Sequence, residues 1–143
     1  MRVQTDHFNW KCANVLEGSG DGYSIDGAAA FKKAASVKIC SQIYTPGSTN
    51  MEKYIRDLLN KCTCGVTVVF AKFQDLVSLF VDASKQKYSG EWVVGDSLFS
   101  SIDDVVRKMT DKMSESSVHE MLRGMCSLDC KEIAICKCIT ASP

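Results

Sequence analysis

Several features that would place a chain quickly are missing from this sequence. No hydrophobic run is long: the longest, Gly65 to Ala71, falls far short of the ~20 apolar residues a helix needs to cross a bilayer. Charge of one sign is not in excess, with 17 Lys and Arg against 17 Asp and Glu. No basic stripe stands out, and phosphate neutralisation needs clustered positive charge, so nucleic acid is not an expected partner. Histidine is scarce. His7 lies near the terminus and His119 in a polar stretch, and both read as solvated side chains rather than catalysts or ligands. There is no nucleophile elbow and no supported pair of carboxylates, so the chain does not read as an enzyme. The N-terminus, from Met1 to Lys11, lacks the apolar core of a signal peptide. As it stands the sequence therefore predicts either a cytosolic protein or a piece of a longer one.

What is present fits one globular domain. The chain has 143 residues, 45% apolar and 24% charged, enough to build a real core. It also has eight cysteines: Cys12, Cys40, Cys62, Cys64, Cys126, Cys130, Cys136 and Cys138. Such a count leans toward an oxidising compartment. The C-terminal group lacks the C-x2-C pairs that zinc sites use, so disulfides or buried thiols are favoured over metal there. The Cys62-Thr63-Cys64 pair is ambiguous in the same way, and the pairing is left open. No metal and no cofactor is implied.

Periodicity sets out an alternating order of elements. Lys11 to Leu16 reads as a strand and Ser24 to Val37 as a helix, with Ile25, Ala28, Ala29, Phe31 and Ala35 on its apolar face. Lys38 to Tyr44 reads as a strand, followed by a turn at Thr45-Pro46-Gly47-Ser48. Asn50 to Cys62 is strongly amphipathic, with Met51, Tyr54, Ile55, Leu58, Leu59 and Cys62 on one side. Gly65 to Ala71 is the β-branched run of a strand buried on both faces. Then come a helix at Gln74 to Gln86, a strand at Glu91 to Gly95 and a helix at Ser101 to Met113. Ser117-x-x-Glu120 reads as a capping box opening a last short helix, and Glu132 to Cys138 as a final strand.

Alternation of this kind predicts an α/β three-layer sandwich with a mainly parallel sheet. Ligands of such sheets bind beyond the carboxyl ends of the strands. That rule selects the Gly18–Tyr23 loop, the Tyr44–Asn50 turn, Lys72-Phe73 and Asp96-Ser97. The glycine-rich loop suggests a dinucleotide at first sight. However, Tyr23 stands where the fingerprint needs its third glycine, and the second strand ends Gln42-Ile43-Tyr44 with no carboxylate to hold a ribose. A phosphate loop would need Gly-Lys-Ser/Thr, which is absent. A plain turn with no ligand role is the simpler alternative.

Read in order, Phe8-Asn9-Trp10, the glycine-rich loop with Tyr23, Gly27-Ala28-Ala29-Ala30-Phe31, Ile39-Cys40, Val66 to Phe70 and Trp92-Val93-Val94-Gly95-Asp96 form a set. Together they resemble the second lobe of the extracellular ligand-binding domain of metabotropic glutamate receptors, which are class C G-protein-coupled receptors. The match runs from Asp6 to Leu98. The resemblance implies a periplasmic-binding-protein-like (type I) lobe, with residues 1–99 lobe-like and 100–143 a helical, Cys-rich continuation. It implies that Tyr23 faces the ligand cleft and that Asp96 holds the ligand's ammonium group. Lys72 falls where some members carry a cleft-facing polar or acidic residue. The sequence departs from the family at Ser24, where glycine is usual, and at Ser97-Leu98, where Gly-Trp is usual.

What the resemblance implies as function is half of an amino-acid-binding clamshell for a glutamate-like ligand. The chain would belong to a dimeric receptor at the extracellular side of the plasma membrane, whose first lobe and transmembrane part are not in this sequence. The alternatives are a small cytosolic nucleotide-binding domain using the Gly18–Tyr23 loop and a stand-alone scaffold domain that binds no small molecule.

Overall fold

The computed structural model of the chain describes residues 11–88, 90–95, 102–123, 125–128 and 136–138. In chain order the elements are β1 (Cys12–Gly18), α1 (Gly22–Ala34), β2 (Lys38–Tyr44), α2 (Met51–Lys61), β3 (Val66–Val69), α3 (Phe73–Lys85) and β4 (Glu91–Gly95). These are followed by α4 (Ile102–Thr110), α5 (Glu115–Arg123), β5 (Met125–Leu128) and β6 (Cys136–Cys138).

The strands form one sheet in the order β2-β1-β3-β4-β5-β6. Pairings among β1 to β5 are parallel, and β6 runs antiparallel to β5. This is the expected three-layer α/β sandwich. The chain steps one way from β1 to β2 and then the other way, back across β1 to β3. Right-handed crossovers place helices of opposite stepping direction on opposite faces. Accordingly α1 packs on one face with Ala13, Val15, Val66, Val68, Phe70 and Val93. Helices α2 to α5 pack on the other face, against Leu16, Val69, Trp92 and Val94. Alternate residues of each strand supply the two faces, as the period of two requires.

The reversal of direction makes the carboxyl ends of β1 and β3 the topological switch point of the sheet. At the opposite, amino edge, two disulfides pair four of the eight cysteines: Cys12 with Cys64, and Cys40 with Cys62. Both use the short link between α2 and β3, and they tie it to β1 and β2. The Asn14 side chain donates to Cys64 O (3.0 Å) and Thr67 Oγ1 (3.2 Å), and Thr67 Oγ1 meets the Tyr88 hydroxyl at 2.9 Å. A buried polar network thus ties β1 and β3 to the segment after α3. Register places Cys126 opposite Cys138 in the β5–β6 pair.

Three expectations need correction. Helix α1 buries Ser24, Gly27, Ala28 and Phe31 and leaves Ile25 45% exposed, so its buried face is rotated from the one hydrophobicity suggests. Ser24 turns inward because its Oγ accepts from Gly18 N (2.7 Å), and Gly27 turns inward because the Phe70 ring occupies the space below it. The last helix is opened by Ser114, not Ser117: Ser114 Oγ accepts from Ser117 N (3.2 Å). Strand β5 was not anticipated, and its four residues, Met-Cys-Ser-Leu, carry no β-branched signal. Of the expected Glu132–Cys138 strand, residues 132–135 lie outside the described residues.

Candidate functional site

The loop after β1 is built from its own hydrogen bonds. Gly20 adopts φ +73°, a left-handed conformation that glycine takes without strain. Ser19 N donates to Tyr44 O (2.9 Å), pinning the loop to the end of β2. Asp21 caps α1, its Oδ1 accepting from Tyr23 N (3.2 Å). The Asp21 side chain is buried, and its other oxygen has no partner among the described residues. A buried carboxylate therefore stands at the helix N-terminus, where a phosphate would have to sit. Like charges repel, so this geometry works against the nucleotide alternative for the Gly18–Tyr23 loop.

The turn after β2 joins this edge. Pro46 and Gly47 (φ +76°) complete it, and Ser48 N donates back to Thr45 O (3.2 Å), as in a type II turn. Asp75, buried in the first turn of α3, accepts from Gly47 N at 2.9 Å. Tyr44 lies fully buried between these segments. Burial pushes its hydroxyl well above the ordinary phenol range, and Asp75 and Asp21 push the same way; nearby Ser24 opposes them. The Ser24 contact falls short of hydrogen-bond geometry, and the Tyr44 hydroxyl has no partner among the described residues. Tyr88 is raised too, first by burial, against the opposing hydrogen bond from Thr67.

Both phenols are thus held neutral by the fold. The stability this contributes is complete below the unfolded phenol value, about 10, and is lost as pH rises past it toward the folded values. In an absorbance titration of the four tyrosines, Tyr44 and Tyr88 should ionise only as the protein unfolds. Ionisation of all of them near pH 10 with the circular dichroism intact would contradict this.

Two of the sequence-derived site residues lie at the strand ends beside the switch point. Tyr23 opens α1 above the end of β1, and Lys72 stands at the N-cap of α3 just beyond β3. Strands β1, β3 and β4 are neighbours, so the two residues lie on adjacent strand ends, with the end of β4 next in line. Lys72 is exposed and takes part in no ion pair among the described residues. Asp96 lies outside the described residues; it follows Gly95, the last residue of β4, in the chain. Tyr23 is 41% exposed and meets Phe70 edge-on, with ring centroids 6.2 Å apart at 80°. Its hydroxyl lies against Gly95.

The Phe70 and Gly95 contacts escaped the sequence reading. A glycine closing a strand marks a place where another group approaches closely, and that was the available signal at Gly95. At the other edge of the sheet, a groove of about 500 Å³ runs past Leu59, Thr63, Gln86, Lys87 and Glu91. It lies at the amino ends of β3 and β4, away from the switch point.

No protein-family model matches the chain, and no curated protein matches its sequence significantly.

Proposed function

We propose that this chain is the second lobe of an amino-acid-binding clamshell, of the type I periplasmic-binding kind used by metabotropic glutamate receptor-like receptors. One observation carries the reading: Tyr23, Lys72 and the residue preceding Asp96 lie at the carboxyl ends of three neighbouring parallel strands, beside the switch point. A partly exposed aromatic ring and an ammonium group there, with a carboxylate next in sequence, suit a small zwitterion bearing an acidic side chain. Asp96 would hold the ligand's ammonium group, Tyr23 would close over it, and Lys72 would face its distal anion. The lobe would act by population shift: a ligand touching two lobes favours their closed arrangement and biases a receptor dimer. The reading places the lobe outside the cell, where its two disulfides are at home. Among the described residues no helix is long and apolar enough to cross a membrane, so the reading assigns anchoring to another part of the receptor.

Half a cleft supplies half the contacts while association still costs its full entropy. The isolated chain should therefore bind L-glutamate no more tightly than roughly millimolar. Calorimetry on the pure chain checks this, and nanomolar affinity would overturn it. A thermal shift assay with NAD, FMN and ATP separates the rival: stabilisation by a nucleotide, abolished by Gly20→Val, would favour the nucleotide-binding reading.

A further inference from the structure

Gly95 ends β4 without a side chain, and the volume a side chain would take is already occupied. A Cβ built there would overlap the Tyr23 hydroxyl oxygen, with Tyr23 Cζ at 3.2 Å and Phe70 Cδ1 at 3.4 Å. On its other side the Tyr23 ring rests edge-on against Phe70. Phe70 is fully buried and is itself fixed from above, because a Cβ at Gly27 would lie 2.5 Å from its Cγ. The four residues form a row from α1, through the end of β3, to the end of β4: Gly27, Phe70, Tyr23, Gly95. Both outer positions are glycine and both inner ones are rings. The Phe70 ring is fully buried, whereas Tyr23 is partly exposed and can give way. The row therefore bounds where the Tyr23 ring can stand.

We propose that Gly95 is a positioning residue. Its empty side is the seat of the Tyr23 hydroxyl, and that seat fixes the ring at the end of β4, from where it would close over a bound amino acid. The second half of this statement rests on the amino-acid-binding reading; the seat itself does not. Adding one methyl at Gly95 should drive the ring outward with little loss of stability, since the displaced atom is the far end of a half-exposed side chain.

The test uses the full chain with ring-labelled tyrosine, its four signals assigned by Tyr→Phe variants. Gly95→Ala should shift the Tyr23 signal, leave the other three in place, and change the melting temperature by less than about 3 °C. L-Glutamate titrated into the unmodified chain should perturb the Tyr23 signal in the millimolar range, and Gly95→Ala should weaken that response about tenfold. A Tyr23 signal unmoved by Gly95→Ala overturns the seat. A signal that moves, with a glutamate response that Gly95→Ala leaves unchanged, upholds the seat and overturns its link to the ligand. If Gly95→Ala fails to fold, the double variant Tyr23→Phe, Gly95→Ala decides: recovery of the fold upholds the seat, because only the hydroxyl has gone, and continued failure overturns it.

Discussion

Replacing Cys12 and Cys64 by serine is expected to lower the free energy of unfolding by about 4 kcal/mol. The bridge closes a separation of 52 residues, and a cross-link stabilises chiefly by denying the unfolded chain its open conformations. The Cys40–Cys62 bridge closes 22 residues inside that larger loop, and alone it is worth about 3 kcal/mol on the same account. Because one loop lies inside the other, the two losses should not add. The larger figure is a large fraction of the 5–15 kcal/mol by which a domain is typically stable. Two structural facts make these bridges matter. Cys12 and Cys64 are only half-buried, so serine costs little packing and the measured loss reports the cross-link. Strand β2 is an edge strand in which Tyr44 alone is buried, so Cys40–Cys62 supplies an attachment that the core does not. Guanidinium unfolding of the oxidised proteins measures both losses. A change below about 1 kcal/mol for Cys12→Ser, Cys64→Ser would sink the prediction.

The parts of the fold that were legible are those whose signal is local. Strands β2 and β4 have the bounds read from their residues, Lys38–Tyr44 and Glu91–Gly95. Helix α2 could hardly be misread, since Met51, Ile55 and Leu58 recur at helical spacing and all three are buried. The misread elements depend on partners distant in sequence. The face of α1 is set by Phe70, just after β3, and by the backbone of Gly18, neither of which is visible in a window around Ser24. The opening of α5 could be taken for Ser117 because Ser114 and Ser117 look alike until the backbone shows which one accepts the other's N–H. Disulfide pairing is a matter of three-dimensional proximity, and eight cysteines leave it undetermined. The candidate site divides the same way. The strand-end rule finds Tyr23 and Lys72 from sequence alone, because alternation of strand and helix already implies the edge. It cannot find the Gly95 seat, because that depends on how far one ring reaches across two strand ends.

The other end of the same row carries the second large effect. Gly27→Ala should destabilise the protein by about 2 kcal/mol, although alanine is the better helix former by about 1 kcal/mol. The two terms oppose each other, and the surroundings decide between them. Three atoms of the Phe70 ring, Cγ, Cδ1 and Cδ2, would lie 2.5, 2.6 and 3.0 Å from the new methyl. Unlike Tyr23, Phe70 is fully buried and packed among Val66, Val68 and Val93 of the same core, so it cannot swing into solvent. The strain must be taken up by lifting α1 from the sheet, and overpacking of this kind typically costs about 1–3 kcal/mol. Thermal unfolding should show a fall of several degrees. Pairing the change with Phe70→Leu separates the causes, because a narrower side chain makes room for the methyl. In that background Gly27→Ala should be neutral or stabilising, as the helix preference then acts unopposed. A melting temperature raised by Gly27→Ala alone would mean that α1 can shift without penalty. Phe70 would then be a soft platform for Tyr23.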